Sequence, residues 1–169
     1  MMKKIIATSA LIATTLLAVP AWAADHQVQM LNKDSEGRPM QFEPAFLKIA
    51  PGDTVTFVAT DKGHNSESIL NMIPEGGETW KGKINEEITV TFTQEGFYAY
   101  KCQPHVGLGM VGLIQVGDNP PALATEEVEK LPGRSKDRMA ELIAEAEAGG
   151  GAEAGAAEGG DAEAAPAAQ

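Results

Sequence analysis

The fold class that this sequence predicts is an all-β sandwich followed by a short helical extension, and three observations predict it. Residues 27–116 break into short runs of alternating apolar and polar side chains, separated by clusters of Gly, Pro, Asn and Asp. Such runs at regular spacing mark strands joined by turns. After Gly117-Asp118-Asn119-Pro120-Pro121 the apolar period changes to that of a helix. Beyond Ala148 only Ala, Gly, acids, one Pro and a terminal Gln remain, with nothing left to build a core.

Taken in order, the chain opens on a segment that does not belong to the fold. Met1-Met2-Lys3-Lys4 is basic, residues 5–19 are apolar, and Ala21-Trp22-Ala23 fits the cleavage rule of a secretory leader. The apolar run is too short for a membrane span. Residues 1–23 are therefore expected to be removed on export to a bacterial periplasm, leaving a soluble protein. The sandwich is expected over residues 24–117. Gln27-Val28-Gln29-Met30-Leu31 alternates as a strand, and residues 32–39 are turn-rich. Phe46-Leu47-Lys48-Ile49 and residues 54–59 are strands around the turn Pro51-Gly52-Asp53. Residues 87–92, 97–102 and 111–116 continue the alternation, whereas 69–83 carry no clear period.

A helical extension is expected over residues 118–147. Thr125 to Lys130 forms a first short helix, broken by Pro132-Gly133. Ser135 is placed to cap a second, in which Met139, Leu142, Ile143 and Ala146 share one face. That apolar stripe needs a surface, and the sandwich is the one available. Residues 148–169 are expected to form a disordered acidic tail.

Charge narrows the function. The chain carries a formal net charge of −11, and residues 118–169 hold 4 basic against 12 acidic side chains. Nothing supplies the basic stripe that nucleic acid requires. A single cysteine, Cys102, excludes an internal disulfide. A lone thiol in an oxidising compartment is a liability unless it is occupied, and metal ligation would occupy it.

Cys102 heads the densest chemistry of the chain. In Cys102-Gln103-Pro104-His105-Val106-Gly107-Leu108-Gly109-Met110, a thiol, an imidazole and a thioether follow the spacing C-x2-H-x4-M between two strands. Soft thiolate and thioether favour Cu(I), and imidazole also suits Cu(II). Each residue alone reads as a small buried hydrophobe, a surface histidine and core filler. Gly107 and Gly109 allow the loop to double back. His64, in Lys62-Gly63-His64-Asn65 just past a strand, supplies the fourth donor. His64, Cys102, His105 and Met110 make the His2Cys-plus-Met set of an electron-transfer copper site.

With these residues in view, the chain resembles the blue copper proteins (cupredoxins), and most closely the pseudoazurins. The resemblance rests on Met30-Leu31-Asn32-Lys33, Phe42-Glu43-Pro44-Ala45, Ala50-Pro51-Gly52-Asp53-Thr54-Val55-Thr56-Phe57, Asp61-Lys62-Gly63-His64-Asn65, Lys83-Ile84-Asn85-Glu86 and the Cys102 loop. The C-x2-H-x4-M spacing is shared with plastocyanins. The stretch around His64 and the helical extension are what point to pseudoazurin. Gln103, Val106 and Leu108 depart from the residues the resemblance leads one to expect.

The resemblance implies a cupredoxin-like Greek-key β-sandwich of about eight strands with two short C-terminal helices. It implies one type 1 copper ion cycling between Cu(II) and Cu(I), and a monomeric carrier of single electrons rather than an enzyme. All four ligand positions come from protein, whereas a catalytic metal keeps one free. Asn65 is expected to brace the two ligand loops, and Pro104 to withhold an N–H from the sulfur. Met40 is expected near the His105 ring or in the core. The expected partner is a copper-containing nitrite reductase or another denitrification reductase. It would dock on an apolar patch around His105, ringed by Lys33, Lys62, Lys81, Lys83 and Lys101. The alternative is a periplasmic copper-delivery or storage protein. Finally, a mature terminus Ala24-Asp25-His26 has the pattern of a separate Cu(II) site built from the amine, two amides and the imidazole, set against an ordinary frayed end.

Overall fold

The computed structural model describes residues 23–123 and 125–150 together with the backbone of 152–153. The expected leader therefore lies outside the described residues, save Ala23, as does the expected tail beyond Glu153. Eight strands build two facing sheets: β1 (Asp25–Lys33), β2 (Pro39–Glu43), β3 (Phe46–Ile49), β4 (Thr54–Val58), β5 (Glu67–Ser68), β6 (Ile88–Thr91), β7 (Gly96–Lys101) and β8 (Val111–Val116). One sheet has the order β2-β1-β4-β6, with β1 and β4 parallel. The other runs β5-β7-β8-β3, with β3 and β8 parallel. A two-residue strand, β9 (Ala152–Glu153), adds to the outer edge of β3. The chain thus returns to the sheet just where a disordered tail was expected to begin.

Alternation sets which side chains enter the core. In β1, His26, Val28 and Met30 point inward between exposed neighbours. Val28 and Met30 meet Phe42, Val55, Phe57, Trp80, Phe92, Tyr98 and Tyr100 between the sheets, and Cys102 and Met110 close the same cluster at one end. The aromatic rings meet mostly edge to face, with Phe42 and Tyr100 4.7 Å and Phe57 and Tyr100 5.0 Å apart. That is the geometry their quadrupoles favour. Gly112 is required opposite Tyr100, because a Cβ there would lie 2.2 Å from the ring.

β8 is buried on both faces. Ile114 and Val116 face the sandwich, while Val111 and Leu113 lie beneath the helices. The helices are α1 (Thr125–Val128) and α2 (Ser135–Glu147). Met139 and Leu142 of α2 seal a second core with Phe46, Met72 and Ala99. The expected helical stripe therefore finds the surface it needs. Ser135 does not cap α2: the N-cap position is Arg134, and the Ser135 hydroxyl donates to the Val106 carbonyl instead. Burial explains the difference, since Ser135 is wholly enclosed against the Val106 loop and a carbonyl there needs a donor. Among the described residues no helix is long and apolar enough to cross a membrane.

Candidate metal centre

The four sequence-designated residues arrive at one pole of the sandwich from two loops. His64 follows β4, and Cys102, His105 and Met110 occupy the connection from β7 to β8. Within that connection a single 3₁₀ turn, Val106–Leu108, ends at Gly109 with φ 97°, a left-handed conformation that glycine adopts freely. Gly107 is not left-handed, so the reversal rests on Gly109 alone. Backbone hydrogen bonds close the loop on itself: Cys102 N–H donates to Met110 O at 3.1 Å, and His105 N–H to Cys102 O at 3.1 Å. The Met110 N–H is satisfied by His105 O at 3.3 Å. Fixing one ligand's backbone therefore fixes the others.

His64, Cys102 and Met110 are fully buried, and His105 is partly exposed. Cys102 Sγ lies 3.7 Å from His64 Nδ1 and 3.5 Å from His105 Nδ1, and the two Nδ1 atoms are 3.1 Å apart. Asn32 Oδ1 sits 3.0 Å from His64 Nε2. An amide oxygen only accepts, so the proton sits on Nε2 and the Nδ1 lone pair faces the thiol and the second imidazole. Converging lone pairs on two nitrogens and a sulfur, enclosed by protein, are the donor set of a soft metal and not of a hydrogen-bond network. Among the described residues no other cluster of His, Cys, Asp or Glu brings metal-ligating atoms together in this way.

Electrostatics agree with a site for a cation. Burial pushes the Cys102 thiol up, and the N–H groups of Asn65 and His105 pull against it. Burial lowers the His64 pKa, and the neighbouring His105 adds to the effect. Both shifts favour neutral groups, which a metal converts into ligands by displacing the thiol proton.

The bracing is more extensive than the sequence suggested. Asn65 ties the loops as expected: its Oδ1 accepts the Gln103 N–H at 2.8 Å and its Nδ2 donates to Gly82 O at 3.0 Å. Pro104 offers no N–H, whereas the nearby backbone N–H of His105 acts to lower the Cys102 pKa. Asn85, at φ 66°, accepts the Gly63 N–H at 2.7 Å and donates its own N–H to His64 O at 2.8 Å. From the other side the start of α2 clamps the loop. The Arg134 N–H donates to Gly107 O at 3.2 Å, beside the Ser135 contact to Val106 O. None of Asn32, Asn85, Arg134 or Ser135 carried a local signal for this role, because each acts across 20 residues or more of sequence. Met40 packs against the core that holds Cys102 and Met110.

The residues of the expected terminal copper pattern are held within the sheet. His26 is buried in β1, and its Nε2 lies 2.8 Å from Asp53 Oδ2. The Ala24 nitrogen is engaged by Asp53 Oδ1 at 2.8 Å. Strand pairing of Asp25 with Thr54 and His26 with Val55 draws the segment into the sheet.

Comparison with known proteins agrees with this centre. The family of copper binding proteins described as plastocyanin/azurin matches residues 28–117. The pseudoazurin of Paracoccus pantotrophus is 52% identical over 123 residues, spanning 73% of this chain and 84% of its own. The solved pseudoazurin of Sinorhizobium meliloti is 55% identical with a TM-score of 0.69, covering 75% of this chain and 98% of that one. That of Hyphomicrobium denitrificans is 43% identical with a TM-score of 0.66, covering 72% and 98%. With a donor set that fits one type 1 copper ion, this chain belongs to the plastocyanin/azurin family of copper proteins, and within it to the pseudoazurins, which carry electrons rather than catalyse a reaction.

Proposed function

We propose that the protein is a periplasmic shuttle, freed of its leader after Ala23, that delivers single electrons to a reductase of denitrification, a copper-containing nitrite reductase foremost. The observation that carries this reading is the unequal exposure of the two histidines. His64 is sealed, while His105 reaches the surface amid exposed Pro104, Gly107 and Leu108, the last 51% exposed. A small apolar patch around one ligand edge suits a brief redox contact.

Copper held there supplies the one-electron couple between Cu(II) and Cu(I). His64, Cys102 and His105 would hold the ion, with Met110 as the fourth donor. Asn32 fixes the His64 tautomer, and the N–H groups of Asn65 and His105 stabilise negative charge on the sulfur. The loop hydrogen bonds would keep the donors in place whichever oxidation state is bound. Enclosure of three of the four ligands excludes water and leaves no position for a substrate.

Five lysines, Lys33, Lys62, Lys81, Lys83 and Lys101, are the proposed steering charges for an acidic partner. Lys81 and Lys101 lie 3.7 and 3.4 Å from the buried Glu67, so part of their charge is compensated. Lys33, Lys62 and Lys83 are exposed and have no ion-pair partner among the described residues. The test is stopped-flow oxidation of the reduced protein by a purified copper nitrite reductase, with copper measured after many cycles. Fast, salt-sensitive oxidation with copper retained supports the shuttle. Copper surrendered to an apo-acceptor would support delivery instead.

A further inference from the structure

The pole opposite the copper ligands carries a cluster that electron transfer does not use. β4 begins beside Asp53 and runs toward the His64 loop, and β7 begins at Gly96 and ends beside Cys102. Asp53 thus sits at the far end of the sandwich, with its side chain 7% exposed. Its Oδ2 accepts the Ala50 N–H at 2.9 Å and lies 2.8 Å from His26 Nε2, while Oδ1 lies 2.8 Å from the Ala24 nitrogen.

This carboxylate lacks a permanent counter-charge. Its only ion-pair partner among the described residues is His26, which is charged only when protonated. Lys48 lines the same cleft but is paired with Asp118 at 2.9 Å, and Glu95 adds another acid there. Asp25, on the outer face of β1, is held by the Thr54 hydroxyl. A buried charge without a partner is costly. Burial acts to raise the Asp53 pKa, yet hydrogen bonds from His26, Ala24 and Ala50 outweigh it and hold the group below its usual value. The site is therefore built for an anion and is one cation short.

We propose that leader removal supplies that cation: the α-ammonium released on Ala24 forms an ion pair with Asp53, which serves as the receptor for the mature N-terminus. The inference rests on reading residues 1–23 as a cleaved leader. In the uncut chain the Ala24 nitrogen is a neutral amide with one hydrogen. Hydrolysis of the Ala23–Ala24 bond adds water, leaving a carboxylate on Ala23 and a protonated amine on Ala24. The new charge appears on the atom that already faces Asp53, so processing locks the entry to β1 against the start of β4. A partnered amine has a raised folded-state pKa. Its contribution is complete below the unfolded value of about 8, and it is lost as pH rises through the folded value.

The experiment compares copper-loaded protein with an authentic Ala24 terminus against the same protein N-acetylated at Ala24, which keeps the amide hydrogen and removes the charge. At about pH 6.5 the authentic form should melt about 5 °C higher, and the gap should close near pH 10. Asp53→Asn should abolish the gap while the visible copper spectrum stays unchanged. Equal melting at both pH values, or a gap that survives Asp53→Asn, would overturn the pairing. Because Asp53→Asn removes a buried acceptor and can fail to fold, the ¹⁵N-labelled Ala24 amine is also titrated by NMR. A value above that of the free peptide Ala-Asp-His supports the proposal, and an equal or lower value overturns it. Intact mass of the exported protein separates the two premises. A start other than Ala24 defeats the leader reading and with it the proposal, whereas a start at Ala24 with an unshifted amine defeats the pairing alone.

Discussion

At the scale of residues, the metal donors were legible because they are chemically rare: one Cys and three His in the whole chain leave few alternatives. What orients them was not legible. Asn32 and Asn85 are ordinary loop asparagines in sequence, and only the fold sets one against His64 Nε2 and the other against the His64 backbone. Cys102→Ala should abolish the strong thiolate-to-copper absorption, and Asn32→Leu should leave the colour but loosen metal retention about 10-fold. Absorption spectra and a chelator competition check both. Titration behaviour is also set residue by residue. Burial acts to raise the Asp34 pKa, but the Arg38 side chain, 2.6 Å away, and the N–H groups of Arg38 and Glu36 bring it below its usual value. A depressed carboxylate stabilises the fold above its unfolded pKa of about 3.9, and this is lost as pH falls through the folded value. Asp34→Asn should therefore lower the melting temperature at neutral pH and flatten its decline below about pH 4, as read by circular dichroism.

At the scale of elements, β3 and β8 match the bounds read from the sequence to the residue, although β8 is buried on both faces, and β4, β6 and β7 agree to within a residue at each end. β2 and β5 were hidden for physical reasons. Pro39-Met40-Gln41-Phe42-Glu43 looks like a turn followed by an irregular segment, and it becomes a strand only by pairing with β1. β5 is two residues long, too short for any period to appear. The capping role expected of Ser135 failed because local patterns cannot register a distant carbonyl in need of a donor. That contact makes α2 a brace for the copper loop. Ser135→Ala should cost about 1–3 kcal/mol and shift the reduction potential, because Val106 lies next to His105. Gly133 has φ 58°, and an added Cβ would meet Gly107 O at 2.3 Å. Gly133→Ala should therefore displace the same loop and broaden the copper paramagnetic resonance. If both variants melted earlier yet kept the parent potential and resonance, α2 would be a stabiliser of the fold and not a brace of the centre.

At the scale of the molecule, charge is distributed against its net sign. The chain is acidic, with 12 acids in residues 118–169, but the proposed steering lysines Lys33, Lys62 and Lys83 are exposed and have no ion-pair partner among the described residues. On the proposed docking, an acidic partner would meet a repulsive molecule with one attractive end, which would orient encounter as much as accelerate it. Glu67 is the exception inside that end. It is buried, it pairs with Lys81 and Lys101, and its charge raises the Cys102 pKa. The same negative charge favours the oxidised centre, which is the more positive state. Glu67→Gln should consequently raise the reduction potential and, by freeing two lysines, speed reaction with an acidic reductase about threefold at low salt. Lys62 is exposed and has no ion-pair partner among the described residues, so Lys62→Glu should slow the reaction by a similar factor and leave the potential nearly unchanged. Both effects should fade as ionic strength rises and the screening length falls to about 8 Å near physiological salt. Cyclic voltammetry and stopped-flow rates at several salt concentrations separate the two variants. If Glu67→Gln left rate and potential alike untouched, the field at the copper pole would have to arise from charges other than these.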